Sequence, residues 1–179
     1  MYRRSLALMT HGAEIRFLEF FGRRVAYSVT GNGPPLVAPA WWVSHVELDW
    51  ADQTFRGFWE SVGEGYAVVR YDRLGVGMSD RDLRDEELTL DGEVALLRAV
   101  LDELGLERVL LVGGSSGGCA AIAFAARFPD RVDRLLLLRR VCRRVLDHLA
   151  GGARGDRLNR ALALGARVAR AGRHIPRRS

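Results

Sequence analysis

At 179 residues with 48% apolar content, the chain has material for one hydrophobic core, so a single domain is the natural reading. No apolar run approaches the roughly 18–20 residues of a membrane span, and residues 5–9 are too short for a signal-peptide core, which leads to the expectation of a soluble cytoplasmic protein. Two cysteines, Cys119 and Cys142, give neither a disulfide framework nor a metal-binding spacing, and no metal or cofactor is expected.

In chain order, residues 14–21 and 24–30 are rich in β-branched and aromatic residues and flank Gly22-Arg23, the pattern of a hairpin. Gly31-Asn32-Gly33-Pro34-Pro35 is a turn, residues 36–38 a short buried strand, and residues 39–53 a long loop. Residues 54–62 read as a short helix and 66–71 as another buried strand, followed by a loop over 72–80. Over 89–105, Leu90, Val94, Leu97, Val100, Leu101 and Leu104 recur at helical spacing, and Gly105 stands in the position that ends a helix. Residues 108–112 form a strand, 116–128 a helix stopped by Pro129, and 132–138 a last apolar strand. An antiparallel start followed by strand–helix alternation predicts an α/β fold: a mostly parallel sheet with helices on both faces. Catalytic groups in such sheets lie at the carboxyl ends of strands, where Trp41, Trp42, Asp72 and Ser116 fall.

The most informative segment is Val109-Leu110-Leu111-Val112-Gly113-Gly114-Ser115-Ser116-Gly117-Gly118, an apolar strand that breaks into a glycine-rich turn and then a helix. Gly114-Ser115-Ser116-Gly117-Gly118 fits Gly-x-Ser-x-Gly, the turn that presents a nucleophilic serine. Ser116 is then expected in a strained backbone conformation, with Gly114 and Gly118 glycine because side chains there would strike the neighbouring strand and helix. A phosphate cradle is the competing use of such a turn. It is disfavoured because Gly-x-x-x-x-Gly-Lys is absent and the chain has no lysine at all.

Residues 14–138 resemble the α/β-hydrolase superfamily, and in particular bacterial hydrolase modules found alone or fused to adenylate cyclase or helix-turn-helix regulators. Four ordered motifs carry the resemblance. They are residues 27–37 (Tyr-Ser-Val-Thr-Gly-Asn-Gly-Pro-Pro-Leu-Val), 42–50 (Trp-Val-Ser-His-Val-Glu-Leu-Asp-Trp), 69–80 (Val-Arg-Tyr-Asp-Arg-Leu-Gly-Val-Gly-Met-Ser-Asp), and the serine turn with residues 125–132. The resemblance implies acyl-transfer chemistry on an ester-like, small apolar carbonyl substrate. Ser116 would be the nucleophile, and the backbone N–H groups of Gly117 and Trp42 would bind the oxyanion. It implies a bracing role for Asp72 and Arg73 and a loop-structuring or pocket-wall role for His45, whose chain position is wrong for the general base. Trp41, Trp42, Trp50 and Trp59 are expected in the core and pocket wall and not in a ligand cage. A second reading is a non-catalytic pocket that senses a ligand and regulates a partner.

In this fold the acid and histidine of the triad follow the serine. Downstream of it stand only His148 and His174, with Asp147 and Asp156 the only carboxylates after Asp133, so little or no turnover is expected of the chain as it stands. Residues 1–138 hold 15 Arg against 20 Asp and Glu, whereas residues 139–179 hold 12 Arg against two Asp. This Arg-rich tail has Arg157, Arg160, Arg167 and Arg170 on one side of a helical pattern, suited to an acidic membrane or nucleic acid, although no base-reading motif supports a nucleic-acid partner. The other explanation is a change of reading frame, which would leave the hydrolase domain incomplete at its C-terminus. The family resemblance implies a Gly-Gly-Tyr-Ala-type segment where Arg139-Arg140-Val141-Cys142 stands, and CGG CGG GTA TGC read one base later encodes Gly-Gly-Tyr-Ala. Sequencing the gene around codons 138–143 checks this: the adjacent frame is expected to continue into a segment bearing the Asp and His, and a frame without them refutes it.

Overall fold

A computed structural model of the chain describes residues 8–10, 13–41 and 43–138; the Arg-rich tail, with Cys142, His148 and His174, lies outside the described residues. The strands are β1 (Leu8–Thr10), β2 (Ala13–Phe20), β3 (Arg23–Thr30), β4 (Pro35–Ala38), β5 (Ala67–Tyr71), β6 (Val109–Gly113) and β7 (Val132–Leu137). The helices are α1 (Val46–Ala51), α2 (Gln53–Val62), α3 (Leu90–Glu103) and α4 (Ser115–Arg127). One sheet of seven strands runs in the order β1-β2-β3-β5-β4-β6-β7. The first four strands in that order pair antiparallel, and β5, β4, β6 and β7 pair parallel.

The expected α/β architecture is present, with helices on both sheet faces. The central strands show why, because their alternate residues enter different cores. Val37, Val69, Val109 and Leu111 pack with α3 and α4, whereas Leu36, Ala38, Val68 and Val112 pack with Trp50 of α1 and Trp59 of α2. Being buried on both sides, these strands carry almost no polar residues.

Two elements differ from the sequence expectation. The long loop expected over 39–53 contains α1, six residues whose first turn is capped by His45, its Nδ1 accepting the Leu48 N–H at 3.2 Å. Its shortness hides it from periodicity, and Asp52 both ends it and caps α2 by accepting the Phe55 N–H at 2.7 Å. The short strand β1 also went unpredicted, three residues pairing with β2 being too few to leave a pattern.

The turn from β6 into α4 is held by backbone contacts that only glycine permits. A β-carbon on Gly113 would stand 2.8 Å from the Gly118 α-carbon and 3.0 Å from the Ala121 β-carbon, and one on Gly117 would stand 2.4 Å from the Pro39 carbonyl oxygen. At Gly114 it would meet only the edge of the Trp41 indole, at 3.2–3.3 Å. Gly117→Ala is therefore expected to cost about 1–3 kcal/mol despite alanine's better helix propensity, and Gly114→Ala less, as measured by urea denaturation. Phe124→Ala, which empties a fully buried site between α4 and the sheet, is expected to cost about 3–5 kcal/mol in the same assay.

Candidate active site

The carboxyl ends of β4 and β6 lie side by side, since Leu36 pairs with Leu110 and Val37 with Leu111. The two segments leaving these ends therefore meet. Residues Pro39–Trp41 press on the start of α4, the Pro39 and Ala40 carbonyls against Gly117 and the Trp41 indole against Gly114.

The strained residue in the turn is Ser115, at φ +50°; apart from Phe21 in the first hairpin, no other non-glycine among the described residues has a positive φ. This corrects the expectation that placed the strain at Ser116. Ser115 is exposed, whereas Ser116, the second residue of α4, turns its hydroxyl inward to a buried position without a hydrogen-bond partner. The steric role expected of Gly114 shifts by one residue as well. Gly113, not Gly114, is the glycine forced by close packing at the strand end, with Gly118 as the surface it packs on, and Gly117 is the glycine forced by the Pro39 carbonyl.

The ambiguity lies in the sequence itself, because Gly113-Gly114-Ser115-Ser116-Gly117-Gly118 satisfies Gly-x-Ser-x-Gly in two registers one residue apart. Strand parity resolves it. Val109 and Leu111 face the α3–α4 core, so Gly113 continues that face toward α4 and is the position with no room for a side chain.

The N-cap residue Gly114 offers no side chain to the first turn of α4, and the first recurrent bond runs from the Gly118 N–H to the Gly114 carbonyl at 3.0 Å. The amides of residues 115–117 thus start a helix without a side-chain cap, a cluster of N–H groups at the positive end of a 13-residue helix. Trp42, expected to supply the second oxyanion amide, lies outside the described residues.

Below this surface Asp72, fully buried, organises the loops. Its carboxylate accepts the Ser44 hydroxyl at 2.8 Å, the Val46 N–H at 3.1 Å and the Met78 N–H at 3.0 Å. Gly77, at φ +58°, leaves room for that carboxylate, which a β-carbon there would overlap. Arg73 pairs with Glu93 of α3 at 2.9 Å, and burial pushes the Glu93 carboxyl above its ordinary range against the pull of that guanidinium. His45 caps α1 as described. Trp50 and Trp59 are buried, and Trp41 and Trp59 line a common pocket.

Sequence reading passed over Arg70, the most deeply buried cation facing that pocket. It is 5% exposed on β5 and sits over Trp50, Phe55 and Trp59, its guanidinium carbon 5.3, 5.8 and 5.9 Å from their ring centroids. One N–H reaches the Val46 carbonyl at 3.1 Å, and the Asp49 carboxylate stands 3.8 Å away. Burial holds the Arg70 pKa below its ordinary value and raises that of Asp49. An arginine inside a buried parallel strand, where its neighbours are Val68, Val69 and Tyr71, was the available signal.

No helix among the described residues is long and apolar enough to cross a membrane. Comparison with known proteins gives a consistent picture. The sequence pattern of the alpha/beta hydrolase fold matches residues 26–148. A 2-hydroxy-6-oxononadienedioate/2-hydroxy-6-oxononatrienedioate hydrolase of Paraburkholderia phymatum is 36% identical over 115 residues, covering 64% of this chain and 39% of the relative. A 2-hydroxy-6-oxo-2,4-heptadienoate hydrolase of Pseudomonas putida is 36% identical over 110 residues, 62% of this chain and 35% of that protein. The matched segments thus span less than two fifths of the length of these curated relatives. Among solved structures, a mutant of the meta-cleavage product hydrolase CumD superposes with a TM-score of 0.58 at 29% identity, covering 68% of this chain and 44% of that one. With the family pattern spanning more than half of its residues, and with a strand–turn–helix serine on a mixed sheet, the chain belongs to the α/β-hydrolase family.

Proposed function

We propose that the chain carries the nucleophile of a serine hydrolase acting on a small apolar carbonyl compound, with Ser115 rather than Ser116 in that role. One observation carries the assignment: Ser115 alone in the turn combines a left-handed backbone with an exposed side chain. In this reading the Ser115 hydroxyl attacks the substrate carbonyl carbon, and the negative charge that develops on the carbonyl oxygen is met by the Ser116 N–H at the helix start. The loop after β4 supplies the second amide, from Trp42 or its neighbour. Gly117 serves sterically, by admitting that loop. The relatives whose names specify dienoate and dienedioate hydrolysis make a substrate with an activated carbonyl next to a carbon–carbon bond the specific candidate, and an ester the convenient surrogate.

A hydroxyl needs a base to become a nucleophile at neutral pH. The one histidine among the described residues, His45, is committed to capping α1, so the proton acceptor is assigned to a group outside them. That same commitment favours a second reading, a hydrolase-like pocket that holds a ligand without turning it over.

Treatment with a phosphonofluoridate and mass mapping of the labelled peptide tests the nucleophile. The adduct is expected on Ser115, abolished in Ser115→Ala and retained in Ser116→Ala, with added imidazole speeding its formation by acting as an external base. An adduct on Ser116 refutes the assignment. A nitrophenyl-ester assay separates the two readings: imidazole-dependent release that vanishes in Ser115→Ala supports hydrolysis, and its absence alongside ligand binding supports the sensing module.

A further inference from the structure

The pocket behind the loop after β4 has an empty volume of about 300 Å³, its mouth included, and is lined by Trp41, Ser44, Asp49, Phe55, Trp59 and Arg70 among others. Its polar groups are poorly matched. The Arg70 Nε and the Trp59 Nε1 are both buried donors without an acceptor, and both belong to residues lining this one space. Ser28, which pairs across the sheet from Arg70, buries a third unpartnered group, its hydroxyl. Of the five N–H donors a guanidinium carries, Arg70 places one on the Val46 carbonyl, and its nearest carboxylate, Asp49, is at 3.8 Å, beyond hydrogen-bond reach.

Buried donors are left unmatched at a cost of free energy, and a buried guanidinium costs more than a neutral group. The aromatic faces of Trp50, Phe55 and Trp59 soften that cost through their electron-rich rings but accept no conventional hydrogen bond. What would complete the site is a compact anion with two acceptor oxygens, the shape a guanidinium edge reads best. The enclosed part of the space is well below the size of a pocket that swallows a whole ligand, so it suits the head of such a group and not a whole aromatic acid.

We propose that this pocket is a carboxylate-binding site, with Arg70 and Trp59 as its donors and Asp49 at its rim as the competing internal anion. Trp41 separates it from the serine turn, since the same indole lines the pocket and lies against Gly114. The carboxylate is either a free small anion or the acid end of a substrate. Only the second source rests on the hydrolase reading above.

Acetate titrated into the full-length chain, against chloride at equal ionic strength, tests the proposal by calorimetry and thermal unfolding. Acetate is expected to bind saturably and raise the melting temperature where chloride does not. Trp59→Phe deletes the unpartnered N–H together with part of the buried indole, so it should lower the unliganded melting temperature and weaken acetate about tenfold. Arg70→Gln should abolish binding; if that variant does not fold, Trp59→Phe still decides. An acetate effect no larger than that of chloride, or equal acetate affinity in Trp59→Phe, overturns the proposal. In the intact chain, a non-reactive carboxylic acid analogue of the ester surrogate identifies the source: displacement of acetate points to the substrate's acid end, and simultaneous binding to a free anion. Because binding is read without turnover, a silent Ser115 leaves the result interpretable.

Discussion

The close approach of the end of β6 to the start of α4 is the constraint on which the serine turn depends. With Gly113 against the Gly118 α-carbon, the chain has no space for a relaxed connection, and the backbone passes through a left-handed conformation at Ser115. Such a conformation is disfavoured for any residue with a β-carbon, and the packing of α4 on the sheet, through Ala121, Ile122 and Phe124, supplies what offsets it. The same geometry turns the Ser115 side chain outward and the next hydroxyl inward, so two adjacent serines of identical chemistry have opposite accessibility.

The second point of organisation is Asp72. A carboxylate that accepts from Ser44, Val46 and Met78 ties the loop after β4, the first turn of α1 and the loop after β5 to one pair of oxygens at the strand ends. These loops carry the wall of the candidate site, yet none of them is long enough to bury a core of its own. Their shape is therefore set by hydrogen bonding and by the space Gly77 leaves, more than by apolar packing.

Much of the fold was legible in the chain because its central strands are buried on both faces and its longer helices carry a clear apolar stripe. Residues 109–112 and the recurrence from Leu90 to Leu104 needed nothing beyond periodicity. What escaped was either too short to show a period, as with α1, or fixed by tertiary contact. The serine is the instructive case. The motif is satisfied twice, and local pattern matching cannot choose between Ser115 and Ser116; the face on which β6 places Gly113 can. Arg70 escaped for a different reason. A charged residue in an apolar strand has meaning only once its aromatic surroundings, distant in sequence, have been assembled by α1 and α2.

The strand order bears on how this domain is made as well as on what it holds. Strand β4 is inserted between β5 and β6, both of which follow it in the chain, so at the ribosome it emerges before either of its neighbours exists. The β2–β3 hairpin can zip locally, but the centre of the sheet must wait for segments tens of residues away to close large loops. Until then Leu36, Val37 and Ala38 are a bare, sticky ribbon, and the waiting time for β6 sets how long the nascent chain needs shielding.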